Sequence, residues 1–325
     1  MGNQLNYKDN CYTLADNESV LDCLLREQLS VPHSCKSGVC QSCIMQATDG
    51  EIPEKAQVGL KPTFKQRKLF LACQCFPSGD ITVANADDAG IDVKAQVKEI
   101  SQLNHNVIKV SLEPSEPFEC EPGQYLTLIN PEEAARSYSI ANNPEKDGVI
   151  ELHIRLLENG LMSGWLKNIA KAGDEVILRG PAGNCFYSND EGDDFPIILS
   201  GTGTGLAPLY GIAHEAIAKG HKGEIKLLHG ALKEDDLYLI EALQQLDKDN
   251  QNFTYTPCVL NGEEGKFYQT GDIQEITIAS IPDDKKNTRL FLCGAPEMVN
   301  SLKTKAFLGG LSSKNIYVDA FLPSK

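Results

Sequence analysis

The pattern of apolar and polar positions divides the chain into three segments with different elements. Residues 1–85 begin with a short strand and a helical pattern at residues 19–30, in which Val20 and three leucines fall on one face. Ser19 or Asn17 stands where a helix cap is needed. After a long loop, the segment ends in the strand pattern GDITVAN.

Residues 93–182 follow a pattern typical of β-strands. β-Branched residues alternate in part with polar ones, and residues such as Pro122 and Gly123 separate the runs. One helical pattern begins at Met162. These features predict an antiparallel barrel joined by short turns. The strand patterns lie at residues 95–100, 106–113, 124–130 and 148–157.

From about residue 194 onward, strands and helices alternate. The apolar run at residues 196–200 is typical of a buried parallel strand, and a glycine-rich turn and a helical pattern follow it. Repeated alternation of this kind predicts a doubly wound α/β domain. We therefore expect three domains, with the small polar residues 84–92 as a linker. The expected domains cover residues 1–88, 92–190 and 194–325.

Length, composition and charge agree with a globular protein that has more than one core. The 325 residues are 41% hydrophobic and 23% charged. No apolar run reaches the roughly 18 residues of a membrane span, and the N-terminal residues lack the pattern of a signal peptide. We expect a cytoplasmic protein without membrane insertion. The net charge of −15 disfavours nucleic-acid binding.

One segment departs from this acidic character. Residues 54–68 carry five basic residues and one acidic residue. Such a run is either a solvated loop or a docking surface for an acidic partner. The sequence leaves both interpretations open.

Four of the eleven cysteines have a spacing that indicates a metal centre. Cys35, Cys40 and Cys43 form C-x4-C-x2-C, and Cys73 follows after 29 intervening residues. This spacing is typical of plant-type [2Fe–2S] clusters, in which thiolates bind the two irons. A zinc site or separate buried thiols are the alternatives, but zinc sites usually have two C-x2-C pairs and this segment has one. Cys75 competes with Cys73 as the fourth ligand.

A second motif lies on a predicted strand, and a third opens the helix that follows. The strand offers a guanidinium for a pyrophosphate, an aromatic face for a flat ring and hydroxyls for ring nitrogens. Alone, R-x-Y-S is a weak signal, since an ordinary half-buried strand also fits it. The helix start adds a serine hydroxyl and free N–H groups, which suit a phosphate. The residues are Arg136, Ser137, Tyr138 and Ser139 on the strand, and Gly160, Leu161, Met162 and Ser163 at the helix start.

Together these two motifs resemble the flavin domain of the ferredoxin–NADP reductase family. The resemblance implies FAD rather than FMN, with Arg136 and Ser163 at its pyrophosphate. It also implies that Tyr138 packs on the isoalloxazine and that Ser139 has a catalytic role through a hydrogen bond near atom N5. His153 is either a further flavin neighbour or a satisfied strand histidine.

The cysteine segment resembles plant-type ferredoxins. In that family the fourth cysteine is followed three residues later by an aromatic residue and a proline. Cys73 fits this pattern with Phe76 and Pro77. The resemblance therefore favours Cys73 over Cys75.

A glycine-rich turn between a strand and a helix predicts a nucleotide site. Glycines allow close backbone approach, and the helix end attracts phosphate. Pro208 takes the last position of the usual G-x-G-x-x-G pattern, and this G-x-G-x-x-P form is similar to that of the reductase family. Without its place after a strand, such a turn is more often a plain loop. The turn consists of Gly201, Thr202, Gly203, Thr204, Gly205, Leu206, Ala207 and Pro208.

Two C-terminal features resemble the family's hydride-transfer site. A Cys-Gly-x-Pro motif with Cys293, Gly294 and Pro296 follows the strand RLFL, and in the family this motif lies beside the nicotinamide. An ordinary buried cysteine is the alternative. Asp319 and Phe321 match an acidic and an aromatic residue that cover the flavin in many relatives. The resemblance thus implies catalytic roles for Cys293 and Phe321.

The loop after the second α/β strand bears on the choice of nicotinamide cofactor. Glu234, Asp235 and Asp236 would repel the 2′-phosphate of NADPH, and carboxylates at this place bond ribose hydroxyls in NADH sites. Lys233 is the opposing signal. We expect NADH, with Glu234 and Asp235 in its binding site.

All three segments together resemble the reductase components of multicomponent oxygenases, of the benzoate dioxygenase and methane monooxygenase reductase type. The resemblance implies a β-grasp ferredoxin domain, a six-stranded antiparallel flavin barrel and a doubly wound parallel α/β domain. It implies an oxidoreductase that passes electrons from NADH through FAD and [2Fe–2S] to a partner protein.

The expected partner is an oxygenase or hydroxylase component, or an intermediate electron acceptor protein. The reductase itself is expected to be a monomer. A reductase that serves a dehydratase of deoxysugar biosynthesis is one alternative. A redox sensor or electron carrier without sustained turnover is another.

Overall fold

The computed structural model describes residues 2–85, 91–190, 192–283 and 285–322. They form three sheets, which follow one another along the chain in the order of the three predicted segments. This arrangement confirms the predicted fold class. The domain boundaries stay predictions, since the expected linker at residues 84–92 lies partly outside the described residues. Within the described ranges, no helix combines the length and apolar character needed to cross a bilayer.

The first domain is a small mixed sheet with a helix packed on it. Its elements are β1 (Gln4–Tyr7), β2 (Asn10–Thr13), α1 (Val20–Arg26), β3 (Ile44–Asp49), α2 (Pro62–Gln66), β4 (Leu69–Leu71) and β5 (Ile81–Asn85). The strand order is β2-β1-β5-β3-β4, and β1 and β5 are parallel. Ser19 caps α1, because its hydroxyl accepts a hydrogen bond from the Asp22 amide. Val20 and Leu21 of α1 pack in the same core as Leu5 and Phe70, which gives the β-grasp arrangement.

The second domain is an antiparallel barrel. Its elements are β6 (Asp92–Gln102), β7 (Val107–Pro114), β8 (Tyr125–Ile129), β9 (Ala135–Ser139), α3 (Pro144–Asp147), β10 (Ile150–Arg155), α4 (Leu161–Asn168) and β11 (Glu175–Ala182). The strand order is β10-β7-β6-β11-β8-β9, and a bridge between Ile140 and Leu152 joins the two ends. Leu126, Leu128 and Leu178 are buried in the barrel core. Because side chains alternate along a strand, the residues between them project outward.

The third domain is a parallel sheet with a hydrophobic core on each face. Its elements are β12 (Ile197–Thr202), α5 (Leu206–Ala218), β13 (Ile225–Ala231), α6 (Ile240–Asp249), β14 (Phe253–Val259), β15 (Gln269–Thr270), α7 (Ile273–Ser280), β16 (Arg289–Gly294), α8 (Pro296–Leu308) and β17 (Ile316–Ala320). Leu209 of α5 packs on one face, and Val299 of α8 packs on the other. The strand order β15-β14-β13-β12-β16-β17 reverses direction at β12. Ligands of such sheets bind at the carboxyl ends of the strands beside this reversal.

Candidate functional site

A cavity of about 1330 Å³ lies where the three domains meet. Its wall contains Cys40 from the first domain, Tyr138 and Ser139 from the barrel, and Gly203 and Gly294 from the third domain. The last two stand at the carboxyl ends of β12 and β16, where the strand order reverses. The volume exceeds the roughly 300–1,000 Å³ of common small-ligand sites. The cavity therefore has room for more than one extended cofactor.

The loop between α1 and β3 carries three of the four predicted iron ligands. The Cys40 thiol donates a hydrogen bond that, with weaker donors, lowers the pKa of Cys35 to about 4. The backbone N–H groups of Ser37 and Cys40 also donate to Cys35 Sγ, each at 3.4 Å. Cys43 donates in the same way to Cys73 and lowers its pKa to about 7. The four thiols are thus grouped as two pairs, each with one sulfur favoured in the thiolate form that binds metals.

This grouping fits a two-iron cluster better than a zinc site. A two-iron cluster takes two thiolates on each iron, whereas a structural zinc ion needs four ligands around one point. Among the described residues, no three side chains of His, Cys, Asp or Glu converge to hold a single ion. The thiol of Cys75 is fully buried, and burial raises its pKa to about 12. The choice of Cys73 over Cys75 stays a prediction, which the contact between Cys43 and Cys73 supports.

The residues of the strand motif all border the cavity from β9. The Arg136 guanidinium donates to the Ala135 carbonyl at 2.7 Å and to the His33 carbonyl at 3.5 Å. Ser137 donates to the Cys40 carbonyl at 3.4 Å, so its hydroxyl contacts the cysteine loop as well as the cavity. Tyr138 is half-buried, and desolvation raises the pKa of its phenol. Roles for these residues in flavin binding stay predictions.

The start of α4 borders the same cavity through Gly160, Met162 and Ser163. The Ser163 hydroxyl accepts a hydrogen bond from the Leu157 amide at 3.1 Å. A Cβ atom at Gly160 would lie only 2.3 Å from that hydroxyl, so the fold of this loop needs glycine. The amides of the first helical turn lack partners within the helix. They are available to a phosphate even though the serine hydroxyl is engaged.

His153 is a strand histidine with partners for both ring nitrogens, and its role as a flavin neighbour stays a prediction. It lines the cavity, and both ring nitrogens have partners. Nε2 lies 2.8 Å from Glu151 Oε1, and Nδ1 lies 3.3 Å from the Tyr238 hydroxyl. Tyr238 belongs to the third domain, so the histidine also joins the barrel to that domain.

The glycine-rich turn divides into two sets of residues. Thr202, Gly203 and Thr204 line the cavity. Gly201 and Gly205 instead face β16, where a Cβ would lie 2.8 Å and 2.3 Å, respectively, from the Cys293 carbonyl oxygen. Two of the predicted glycines therefore allow the turn to approach β16. Pro208 is buried in the first turn of α5.

Residues from the barrel and the third domain meet at the predicted hydride-transfer site. Ser139 Oγ donates to Asp319 Oδ2 at 2.9 Å, and burial raises the pKa of Asp319 to about 6. Phe321 lines the cavity beside Asp319, as do Gly294 and Pro296. Cys293 is fully buried at the end of β16, with its Sγ 3.5 Å from Cys185 Sγ. Gly294 and Pro296, which follow Cys293 in sequence, form the cavity wall next to it.

The acidic loop contributes one carboxylate to the cavity wall. Asp236 lines the cavity, whereas Glu234 and Asp235 are absent from its described lining. Asp236 Oδ2 accepts from the Lys233 amide at 3.2 Å, and its backbone carbonyl accepts from the Asn104 side chain at 2.9 Å. The short 3-10 turn over these residues therefore fixes Asp236 against the barrel. Roles for Glu234 and Asp235 in cofactor binding stay predictions.

Sequence reasoning missed the residues by which the barrel holds the cysteine loop. Tyr125 OH donates to the Val39 carbonyl at 2.9 Å, and Thr127 Oγ1 donates to the Cys40 carbonyl at 3.3 Å. Arg179 Nη1 donates to the Ser42 carbonyl at 2.7 Å. The one signal in the sequence was the Gly-Gln-Tyr run at the start of β8, and it predicted a strand without marking Tyr125 as a contact to another domain.

Comparison with known proteins agrees with each of the three domains. Residues 4–78 match the model of the 2Fe-2S iron-sulfur cluster binding domain, residues 94–187 the oxidoreductase FAD-binding domain, and residues 199–304 the oxidoreductase NAD-binding domain. The reductase subunit of an aromatic O-demethylase from Amycolatopsis sp. is 34% identical, over 94% of this chain and 95% of the relative. The chain belongs to the ferredoxin-domain oxygenase reductases.

Other relatives extend this result. The reductase component of a naphthalene 1,2-dioxygenase system from Pseudomonas putida is 31% identical, over 94% of each chain. The crystal structure of the Amycolatopsis cytochrome P450 reductase GcoB has a TM-score of 0.70 and 31% identity, and it covers 99% of each chain. A ferredoxin reductase in carbazole 1,9a-dioxygenase, at 24% identity and a TM-score of 0.68, shares the fold. The reductase is thus a member with a [2Fe–2S] cluster, FAD and a nicotinamide cofactor, as predicted.

The first prediction concerns the fourth iron ligand. Cys73→Ser should abolish the visible spectrum of the cluster and retain FAD, because Cys43 would lose its paired thiolate. Cys75→Ser is the matched control and should leave iron and sulfide content unchanged. Visible absorption with chemical iron, sulfide and FAD determination measures both. The opposite pattern in the two variants would assign Cys75 as the ligand.

The second prediction concerns the half-buried carboxyl of Asp319. In the folded protein the pKa of Asp319 is about 6, above the ordinary value of 3.8. Between these pH values the folded state binds more protons than the unfolded state, so the free energy of unfolding falls as pH rises. The difference corresponds to about 3 kcal/mol. Asp319→Asn should therefore raise the melting temperature at pH 8 relative to the wild type, and less so at pH 5. The exposed Asp16→Asn is the control, and an equal shift at both pH values would contradict the assignment.

Proposed function

We propose that this protein is the reductase component of an oxygenase system, which passes electrons from NADH through FAD and the [2Fe–2S] cluster to a partner protein. One observation carries the proposal. Cys40 of the iron-binding loop shares a cavity with Tyr138 and Ser139 of the flavin domain and with Gly203 of the nucleotide turn. Residues predicted to hold the three redox groups therefore line one cavity.

The residues around this space have separable tasks in the proposed reaction. When bound, FAD accepts a hydride from NADH, and the cluster accepts and releases single electrons. The amides at the start of α4 and the Arg136 guanidinium hold the pyrophosphate of FAD. Gly201 and Gly205 bring the nucleotide turn against β16. The bond between Ser139 and Asp319 joins the barrel to the third domain beside the proposed hydride-transfer site.

Relatives guide the choice of electron acceptor. The names of the related proteins include an aromatic O-demethylase, naphthalene dioxygenase and phenol hydroxylase. We therefore favour an oxygenase or hydroxylase component as the partner, either directly or through an intermediate carrier, over a dehydratase of deoxysugar biosynthesis. That the reductase acts as a monomer in the cytoplasm stays a prediction.

Asp236 supports NADH over NADPH. It is the carboxylate of the acidic loop that lines the cavity, and its Oδ1 lies 3.5 Å from His105 of the barrel. A fixed negative charge at this place repels the 2′-phosphate of NADPH and accepts hydrogen bonds from ribose hydroxyls.

A basic surface beside the cluster loop suits an acidic partner. It consists of Lys55, Lys61, Lys65, Arg67 and Lys68, all exposed in a protein with a net charge of −15. Within the described part of the chain, none of the five has an acidic side chain in ion-pair distance.

The near edge of this basic surface contacts the cluster loop. The Gly59 carbonyl accepts a hydrogen bond from Gln41, which follows Cys40. Lys55 Nζ lies 5.9 Å from the ring centre of Phe76, whose side chain is 42% exposed. Val58, at 63% exposure, adds a second apolar contact. Apolar side chains within a ring of cations are suited to a transient electron-transfer complex with an acidic protein.

The third prediction tests the function and the cofactor choice together. The purified holoprotein should reduce ferricyanide continuously with NADH, and kcat/KM for NADH should exceed that for NADPH by at least about tenfold, or about 1.4 kcal/mol. Asp236→Asn should lower this ratio, whereas Glu241→Gln, on the exposed side of α6, should not. Parity between the two cofactors in the wild type would refute the role of Asp236. Negligible turnover with both would favour a redox sensor.

The fourth prediction tests the basic surface with protein acceptors of known charge. The double variant Lys55→Gln/Lys61→Gln should reduce an acidic c-type cytochrome at least about fivefold more slowly at low ionic strength, and the difference should vanish at high salt. Reduction of a basic cytochrome should not slow. Lys303→Gln/Lys305→Gln on α8 removes the same charge far from the cluster loop and is the control. Equal slowing in both double variants would contradict the docking role and indicate that residues 54–68 are a solvated loop.

A further inference from the structure

Four polar side chains form a row across the outer face of the barrel. Asp92 on β6 is paired in register with Arg179 on β11, Arg179 with Thr127 on β8, and Thr127 with Ser137 on β9. Residues paired across neighbouring strands project from the same face. The row therefore crosses four adjacent strands beneath the cysteine loop.

Three residues of the row donate hydrogen bonds to backbone carbonyls of the cysteine loop. Thr127 and Ser137 donate to the Cys40 carbonyl, and Arg179 donates to the Ser42 carbonyl. Each donor is a barrel side chain, and each acceptor is a backbone carbonyl of the loop. These three bonds therefore hold the path of the loop's backbone.

Arg179 is the charged member of the row and is only 4% exposed. Nε and Nη2 donate to the two oxygens of Asp92, both at 2.7 Å, and Nη1 donates to Ser42 at 2.7 Å. This two-oxygen pairing compensates the buried charge and fixes the plane of the guanidinium. With the guanidinium plane fixed in this way, an Nη1 N–H is directed at the Ser42 carbonyl of the loop.

Ser42 connects this contact to the iron ligands. It lies between Cys40 and Cys43 in sequence and is fully buried. Its hydroxyl donates to Cys40 Sγ at 3.2 Å and lies 3.2 Å from Thr127 Oγ1. A shift of the Ser42 backbone would therefore move two ligands and a hydrogen bond to sulfur, which tunes a cluster's properties.

We propose that Arg179, held by Asp92, is a positioning residue that fixes the Cys40–Cys43 turn against the flavin barrel and so sets electron transfer into the cluster. The inference rests on the proposed function, in which electrons from NADH reach the cluster through FAD. Electron transfer slows steeply as the distance between two centres grows, so a loop that leaves the barrel receives electrons more slowly. Hydride transfer from NADH does not involve this contact.

The double variant Asp92→Asn/Arg179→Gln tests the proposal in the cluster-loaded protein. It removes both charges together, whereas a single substitution would leave one buried charge unpaired. Hydrogen exchange of residues 38–45, measured by mass spectrometry, should become about tenfold faster, because a charged hydrogen bond is lost. The EPR spectrum of the dithionite-reduced cluster should change, since Ser42 contacts Cys40 Sγ. In stopped-flow experiments with NADH, cluster reduction should slow while flavin reduction keeps its rate.

Three further variants sharpen the result. Arg179→Lys keeps the charge but loses the paired geometry, so it should restore the effects in part. Thr127→Val removes one donor without a change of charge, and it decides the question if the double variant fails to assemble. It should accelerate the exchange of residues 38–45 by a smaller factor. Lys98→Gln removes an exposed ion pair with Glu113 on the same barrel and should change none of the measurements.

Two results would overturn the proposal. One is unchanged exchange and EPR in both the double variant and Thr127→Val. The other is a flavin-reduction step that slows as much as cluster reduction. A wild type that fails to reduce its cluster with NADH would refute the proposed function instead, and the exchange and EPR measurements, which need no NADH, would still report on Arg179.

Discussion

The backbone carbonyls of the cysteine loop need hydrogen-bond donors, and this requirement ties the iron-binding loop to the rest of the molecule. The loop has no regular secondary structure between α1 and β3, so its own strands and helices do not satisfy these groups. A buried carbonyl without a partner is costly. The barrel provides the donors for Val39, Cys40 and Ser42. The same hydrogen bonds therefore dock the first domain on the barrel and hold the loop that carries the iron ligands.

Local signals in the sequence were sufficient for most elements but not for this interface. The start of α1 and the strand motif at β9 depend on neighbouring residues, and they were found where the pattern predicted them. Ser19, one of two candidates, is the cap, and α1 ends at Arg26, four residues before the predicted end. The row through Arg179 and Thr127 depends on strand register between segments about fifty residues apart. No periodicity in the sequence marks which outward residues of a barrel strand will meet another domain.

The same limit explains the nucleotide site. The glycine-rich turn lies between a strand and a helix, as the sequence predicted, but the sequence did not separate Gly203, which lines the cavity, from Gly201 and Gly205, which face β16. It marked an acidic loop, but the 3-10 turn over Glu234–Asp236 decides which carboxylate reaches the cavity. Composition identifies the kind of chemistry in a loop, whereas the direction of each side chain follows from backbone geometry that only the folded chain defines.

Two carboxylates of the molecule differ in how their charge is compensated. Asp92 is matched by the guanidinium of Arg179, so its charge is compensated and serves to hold the cysteine loop. Asp319 has the hydroxyl of Ser139 as its partner, and burial raises its pKa to about 6. A carboxyl with this value changes its charge near neutral pH, as groups at reactive sites often do. Asp92 acts within the barrel, through Arg179, on the cysteine loop of the first domain, and Asp319 joins the third domain to the barrel through Ser139. The arrangement of the three domains therefore determines both the position of the cluster loop and the proton affinity of Asp319 beside the cavity.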